Sequence, residues 1–382
     1  MIPNFLRGAF YGLASVSLVA APTLPEAFAG KFRIGVAIRD PQAEERNPAA
    51  ARLLREQFNS ITAENLLKWG PVHPKRDTFA FEPADRYVAF GEQRGMKIIG
   101  HTLVWHQQTP AWVFQADDGS KISRAALLER LREHIHTVVG RYRGRIHGWD
   151  VVNEALAEDG GMRRSPWFEI IGEEFVARAF AFAQEADPGA ELYYNEYGLE
   201  NPAKRRGALA LIRKLQAQGL KVTGVGVQGH YGLQTPATAQ VEATIRDLAA
   251  LGVKVMITEL DVNVLPNPQG EAGADLNVRY AADPQWNPYV QGLPDEVQGQ
   301  LARRYAGLFE VFVRNAAVID RVTFWNLHDG SSWLNNWPIR GRTNHPLLFD
   351  RAGQPKPAFA AVIAVARGAP HPGDPAGLSG KK

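Results

Sequence analysis

The chain has 382 residues, 43 Lys and Arg against 40 Asp and Glu for a formal net charge of +3, and no cysteine. That length supports a large buried core, and so small a charge without a basic block argues against a nucleic-acid partner. The absence of cysteine excludes disulfides, thiolate metal sites and a cysteine nucleophile.

At the start, Arg7 precedes an apolar, small-residue stretch from Gly8 to Ala21, followed by Pro22, Pro25 and Ala27-Phe28-Ala29. A charged region, an apolar region and an A-x-A site in that order predict a secretory signal peptide over 1–29, cleaved near Ala29. The protein is then expected to be secreted or periplasmic. The apolar stretch is too short to span a bilayer, so no membrane association is expected after cleavage. From Gly30 onward, β-branched apolar runs predict strands at 32–38, 60–65, 97–105, 147–154, 191–196, 224–230, 254–262 and 322–327. Between them, helical periodicity predicts helices at 48–58, 84–94, 124–142, 173–186, 203–218, 238–251 and 296–314, with a last one at 357–367. Leu127, Leu128, Leu131, Ile135, Val138 and Val139 form one apolar stripe. Gly95, Gly219 and Gly252 stand where left-handed helix caps are wanted, and Pro202 and Pro294 where helices begin.

Eight strands alternating with eight helices predict an α/β fold of the (β/α)8 TIM-barrel kind, a single domain over 30–368. An open doubly wound sheet is the alternative, but no Gly-rich fingerprint follows its first strand. The Pro- and Gly-containing segment 263–293 reads as a long loop after the seventh strand, and 369–382 as a flexible tail. A monomer is expected.

Polar residues gather at the predicted strand ends, which a parallel barrel brings to one face. They are Glu64 and Asn65 with Lys68 and Trp69 behind them, His101, Trp105, His106 and Gln108, Asn153 and Glu154, Asn195, Glu196 and Tyr197, Gln228 and His230, Glu259 and Asp261, and Trp325. Two carboxylates across one cleft can hydrolyse a glycosidic bond without metal or cofactor, so none is expected. Glu154 and Glu259 are the candidates. As general acid, Glu154 needs a raised pKa, from apolar neighbours such as Trp149 and Val152 and from the charge of Glu259. Glu259 needs to stay ionised, and a Glu259–His230–Asp261 network would do this, with Asp261 fixing the histidine tautomer. Trp105, Trp325 and Trp333 could stack on sugar faces, whereas Trp112, Trp149 and Trp167 read as packing. The alternative, a metal site of His101, His106, His230 and Asp261, leaves the amides, tryptophans and lysine at the strand ends unused.

From Phe32 to Arg367 the chain resembles family 10 of the glycoside hydrolases, the endo-β-1,4-xylanases. The resemblance rests on Phe58-Asn59-Ser60-Ile61-Thr62-Ala63-Glu64-Asn65, Gly100-His101-Thr102-Leu103-Val104-Trp105-His106, Trp149-Asp150-Val151-Val152-Asn153-Glu154-Ala155 and Ile257-Thr258-Glu259-Leu260-Asp261. It implies a retaining enzyme acting on xylan and xylo-oligosaccharides, with Glu154 as acid/base and Glu259 as nucleophile. It also implies that Asn153 bonds the sugar 2-hydroxyl, that Gln228 holds Glu154 and that His230 holds Glu259. Glu64, Asn65, Lys68, His101 and Gln108 would lie on the glycone side, Trp105, Trp325 and Trp333 would be the stacking and roof tryptophans, and Asn195 and Tyr197 would lie on the aglycone side. Asn326 departs from the pattern, standing where the family often has glycine; Ala63 and Leu66-Leu67 also vary. A β-1,4-glucanase and an inactive sugar-binding protein are the rival functions.

Overall fold

Among the described residues there are nine short strands, eight of which form the wall of a closed barrel. The computed structural model describes residues 22–268, 276 and 278–371. The strands are β1 (Arg33–Ile38), β2 (Ser60–Ala63), β3 (Lys97–Val104), β4 (Gly148–Asn153), β5 (Glu191–Glu196), β6 (Gly224–Val227), β7 (His230–Gly232), β8 (Lys254–Asn263) and β9 (Ile319–Phe324). All pair in parallel, in the order β6-β5-β4-β3-β2-β1-β9-β8, and β6 pairs with β8 to complete the ring. This is the expected (β/α)8 barrel.

Two strands differ from the sequence expectation by more than two residues at an end. The last begins at Ile319 rather than 322, because Asp320 and Arg321 lie within it. Asp320 meets Lys97 at 2.7 Å at the base of the barrel, and Arg321 is buried 4.0 Å from Asp150 in its interior. The expected sixth strand, 224–230, breaks after Val227. Gly229 takes φ 84°, a conformation open to glycine, and the chain resumes as β7 beside Asp261–Asn263.

Helices cover the outside as their periodicity requires. The helix Arg124–Arg141 buries Leu127, Leu131, Ile135, Val138 and Val139, while Leu128 is only half-buried. Gly95, Gly219 and Gly252 all adopt positive φ after their helices. Inside the barrel, Ile99, Tyr193 and Met256 form a separate apolar layer below the polar strand ends. That layer fixes the face on which β5 presents Asn195, two residues beyond Tyr193.

Residues 22–29, part of the segment read as a leader, are built into the base of the fold. A turn of helix, Leu24–Ala27, is capped by Thr23. Leu24 and Phe28 are fully buried, and Phe28 packs on Phe32 at 5.0 Å and on Phe309 at 5.2 Å. Residues 1–21, the tail from 372, and 269–275 with 277 of the long loop lie outside the described residues. The helix Pro357–Arg367 ends with Gly368 as its left-handed cap.

Candidate active site

The C-terminal ends of the strands surround a cleft with about 530 Å³ of open space. Of the residues singled out from sequence, Glu64, Asn65, Lys68, His101, Trp105 and Gln108 line it. Asn153, Glu154, Gln228, His230, Glu259, Trp325 and Trp333 line it as well, together with Leu276. Asn195, Tyr197 and Asp261 stand behind this wall.

Glu154 follows β4 directly, with a left-handed φ of 57° that is uncommon for a residue with a side chain. A register shift in β4 between Asp150 and Val152 precedes it. Its amide donates to Asn195 O at 2.9 Å, and its carbonyl accepts from Arg163 Nε at 3.0 Å. These bonds fix the turn that aims the side chain into the cleft. Oε1 then accepts from Gln228 Nε2 at 2.9 Å and Asn153 Nδ2 at 3.2 Å, and Oε2 from the Trp105 indole at 2.8 Å. Trp105 thus holds the carboxyl as well as offering a ring.

Glu259, within β8, has a different environment. Oε2 accepts from His230 Nε2 at 3.1 Å and Oε1 from Asn195 Nδ2 at 2.7 Å. The same Asn195 nitrogen donates to Asn153 Oδ1 at 2.9 Å. A hydrogen-bonded chain therefore runs Glu154–Asn153–Asn195–Glu259. Asn195, expected on the aglycone side, is instead a fully buried strut between the two carboxylates. Room for it comes from Gly226 on the next strand, where a Cβ would lie 2.2 Å from Asn195 Oδ1. Thr258 donates to that oxygen at 2.6 Å.

These surroundings drive the two carboxyls apart. Burial first, and then the charge of Glu196, push the Glu154 pKa up to about 7, with Glu259 contributing less. The expected source of charge, Glu259, is thus the smaller one. Trp149 packs five residues upstream, over Gly100, and the groups bonded to the Glu154 carboxyl are Trp105, Gln228 and Asn153. Burial also works to raise Glu259, but His230, His101 and Lys68 outweigh it and hold its pKa below the ordinary value. Near neutral pH, one group can donate a proton while the other stays anionic and nucleophilic.

His230 Nδ1 donates to Asp261 Oδ1 at 3.0 Å. Burial acts against its charge, yet Asp261 and Glu259 together raise its pKa to about 10. The ring is thus an imidazolium donating from both nitrogens. Asp261 orients the ring and favours its charged form, within the Glu259–His230–Asp261 network expected from sequence. Asp261 Oδ2 also accepts from the Trp333 indole at 2.7 Å.

The remaining expected residues form one polar wall and an aromatic roof. Lys68 Nζ donates to Asn65 Oδ1 at 3.0 Å and sits 4.7 Å from the Trp105 ring centre. Gln108 reaches the same Asn65 oxygen at 3.5 Å, and Asn65 Nδ2 donates to Glu64 Oε1 at 3.3 Å. His101 donates from Nδ1 to Asp150 at 3.0 Å and meets Trp325 edge-on at 5.4 Å. Trp333 stacks on Trp337 at 4.7 Å. Tyr197 lies to the far side, its hydroxyl 2.8 Å from Arg163 and its ring under Lys204 at 3.2 Å.

Four contributors were missed in the sequence. Arg163 pins the Glu154 turn, and Arg39 binds Glu64 at 2.7 Å. Glu196 was visible as a strand-end residue but had no role. It is fully buried, paired with Lys204 at 3.1 Å, and accepts from the Leu156 amide two residues past Glu154. Asn326 stood out only as a departure from pattern.

The family model for glycosyl hydrolase family 10 matches residues 23–365. An endo-1,4-beta-xylanase A from Xylanibacter ruminicola is 42% identical over 344 residues, which covers 90% of this chain and 93% of that protein. A beta-1,4-xylanase from Dictyoglomus thermophilum is 39% identical over 344 residues, covering 90% of each. Among solved structures, a GH10 endoxylanase retrieved from a sugarcane soil metagenome superimposes with a TM-score of 0.87 at 43% identity, over 90% of this chain and 99% of that one. The xylanase XynB of Paenibacillus barcinonensis, complexed with a conduramine derivative, gives 0.82 at 37% identity, over 90% and 99%.

Proposed function

The chain belongs to glycosyl hydrolase family 10, and we propose that it is an endo-β-1,4-xylanase working by a retaining double displacement. Glu259 attacks the anomeric carbon while Glu154 protonates the departing oxygen. Glu154 then takes a proton from water, which hydrolyses the glycosyl ester on Glu259. The observation that carries this reading is the opposite tuning of two carboxyls joined through Asn153 and Asn195: one pushed to about 7, the other held low. The xylanase names of its relatives support the choice of sugar.

The substrate is a xylan chain or xylo-oligosaccharide, bound by a monomer. Glu64, Asn65, Lys68, His101 and Gln108 would hold the glycone side through its hydroxyls, and Asn153 the 2-hydroxyl of the sugar being cleaved. Trp105, Trp325 and Trp333 would cover its C–H faces. Xylose lacks the hydroxymethyl arm of glucose, and a crowded glycone side would leave polar partners unpaired if that arm entered.

We also propose export by the N-terminal segment. Its processing point would lie before Thr23 rather than near Ala29, because Leu24 and Phe28 belong to the core.

The test is hydrolysis of aryl β-xylobioside followed by proton NMR, with aryl β-cellobioside alongside. The β-anomer should appear first, and kcat/KM should favour the xylobioside by about two orders of magnitude or more, at 1.36 kcal/mol per tenfold. The α-anomer as first product would refute double displacement, and equal rates on the two glycosides would refute the choice of xylan.

A further inference from the structure

Past the end of β9 the chain makes a turn that no glycine supports. Asn326 adopts φ 102° and is almost completely buried. A left-handed conformation at a residue carrying a side chain costs energy, and it persists where surrounding contacts over-determine it. Here the contacts are two hydrogen bonds from the two ends of one carboxamide. Nδ2 donates to Glu64 Oε2 at 2.5 Å, across the barrel seam. Oδ1 accepts from the Trp333 backbone amide at 2.9 Å, seven residues further along the same loop.

Both partners face the cleft. Glu64 follows β2, and its Oε2 is also bound by Arg39 at 2.7 Å. That oxygen is therefore fully engaged, and Oε1, with its one bond from Asn65 at 3.3 Å, remains the one able to meet a ligand. Trp333 sits over the other side of the cleft, its indole nitrogen on Asp261 and its ring 4.9 Å from His230. Through Asp261 and His230, the contacts continue to Glu259.

We propose that Asn326 is a positioning residue for the glycone side of the cleft: its carboxamide ties the aim of Glu64 to the height of the Trp333 roof, and so helps to set which sugar fits between them. Only a carboxamide supplies a donor at one end and an acceptor at the other in one short plane. Aspartate would set a carboxylate against that of Glu64. Glycine would remove both bonds while accepting the backbone turn without cost. The proposal rests on the xylanase reading above, since it assigns this wall and roof to the glycone.

The test compares the parent with N326G and N326D, by kinetics on aryl xylobioside and aryl cellobioside and by thermal melts. Because glycine suits φ 102°, N326G should fold, with Tm close to that of the parent. Its KM for the xylobioside should rise about tenfold while kcat changes less, as loss of binding common to ground and transition state requires. The preference for xylobioside over cellobioside should fall about fivefold or more. N326D, nearer in shape, should nonetheless be worse than N326G in kcat/KM on the xylobioside, because the added charge repels Glu64. A folded N326G with the parent's KM and preference would overturn the proposal, and so would an N326D that behaves as the parent. Should the parent itself show no preference for xylobioside, the xylanase reading fails and this inference falls with it.

Discussion

Replacing Glu154, the proposed acid/base, with its neutral isostere should stabilise the protein, and do so only as the pH rises. The Glu154 pKa is pushed from an ordinary 4.5 to about 7 by burial and by Glu196. A carboxyl with a raised folded pKa binds more protons in the folded chain than in the unfolded one. It costs nothing below the unfolded pKa, becomes steadily more destabilising as pH rises towards the folded pKa, and levels off beyond it. A shift of this size is worth about 3 kcal/mol at 1.36 kcal/mol per unit, against a typical total stability of about 5–15 kcal/mol. Glutamine in Glu154→Gln cannot ionise. Its NH₂ group must face either the Trp105 indole or the donors of Gln228 and Asn153, which adds a penalty, but one that is the same at every pH. The stability difference, variant minus parent, should therefore climb by about 3 kcal/mol between about pH 4 and pH 8, with most of the rise before pH 7. Urea unfolding at closely spaced pH values measures it. The alkaline limb of kcat/KM in the parent should fall near the same midpoint, by an independent route. A difference that stays flat with pH would mean that Glu154 ionises as readily folded as unfolded, and its role as the proton donor would be lost with that result.

Two further outcomes follow from the same structure. Glu259→Ala should lose turnover on every substrate, whereas Glu154→Ala should still glycosylate on aryl xylobiosides with good leaving groups, which need little protonation. Azide should then rescue Glu154→Ala to a β-glycosyl azide, and formation of an α-azide by Glu259→Ala without rescue of Glu154→Ala would reverse the two roles. A chain beginning at Gly30 should be less stable than one beginning at Thr23 by about 3–6 kcal/mol, since it loses two fully buried side chains, Leu24 and Phe28, each worth about 1.5–3 kcal/mol. Equal melting temperatures for the two would show that this segment is dispensable to the fold.

Much of the cleft could be read from sequence because a parallel barrel converts a one-dimensional pattern into a place. Polar residues at seven strand ends had to converge, whatever the lengths of the connections. What could not be read was the direction of neighbours within one strand end. Asn195 and Glu196 are adjacent and both polar, yet a strand sends them to opposite faces. Asn195 follows Tyr193 into the barrel and becomes the strut between the carboxylates, while Glu196 turns towards Lys204 of the helix Pro202–Ala217. The one hint was Gly226, whose missing side chain leaves space for Asn195. The start of β9 was hidden for another reason. Asp320 and Arg321 lie in a strand whose base is ionic rather than apolar, so the hydrophobic run begins only at Val322. Arg39 and Arg163 were invisible because arginines near strand ends and loops are ordinary surface residues until their partners, Glu64 and the Glu154 carbonyl, are in place.

Two chemically identical side chains are made unequal here by the kind of donor each meets. Glu259 accepts from a charged imidazolium, with Lys68 and His101 also favouring its anion. Glu154 accepts from uncharged groups, an indole and two carboxamides, and feels the buried Glu196 more strongly than Glu259. Under the proposed double displacement this arrangement also bears on the second step. Forming the glycosyl ester removes the negative charge of Glu259, which lowers the Glu154 pKa just when that group must act as a base. The fall is partial, because burial, the largest cause of the raised pKa, remains, and so does Glu196, the stronger of the two negative influences. Glu196 would therefore keep Glu154 basic enough to take a proton from water, while the loss of the Glu259 charge makes it acidic enough to have released one. A cycle that needs the same carboxyl as acid and then as base is served by one negative neighbour that disappears with the chemistry and another that does not.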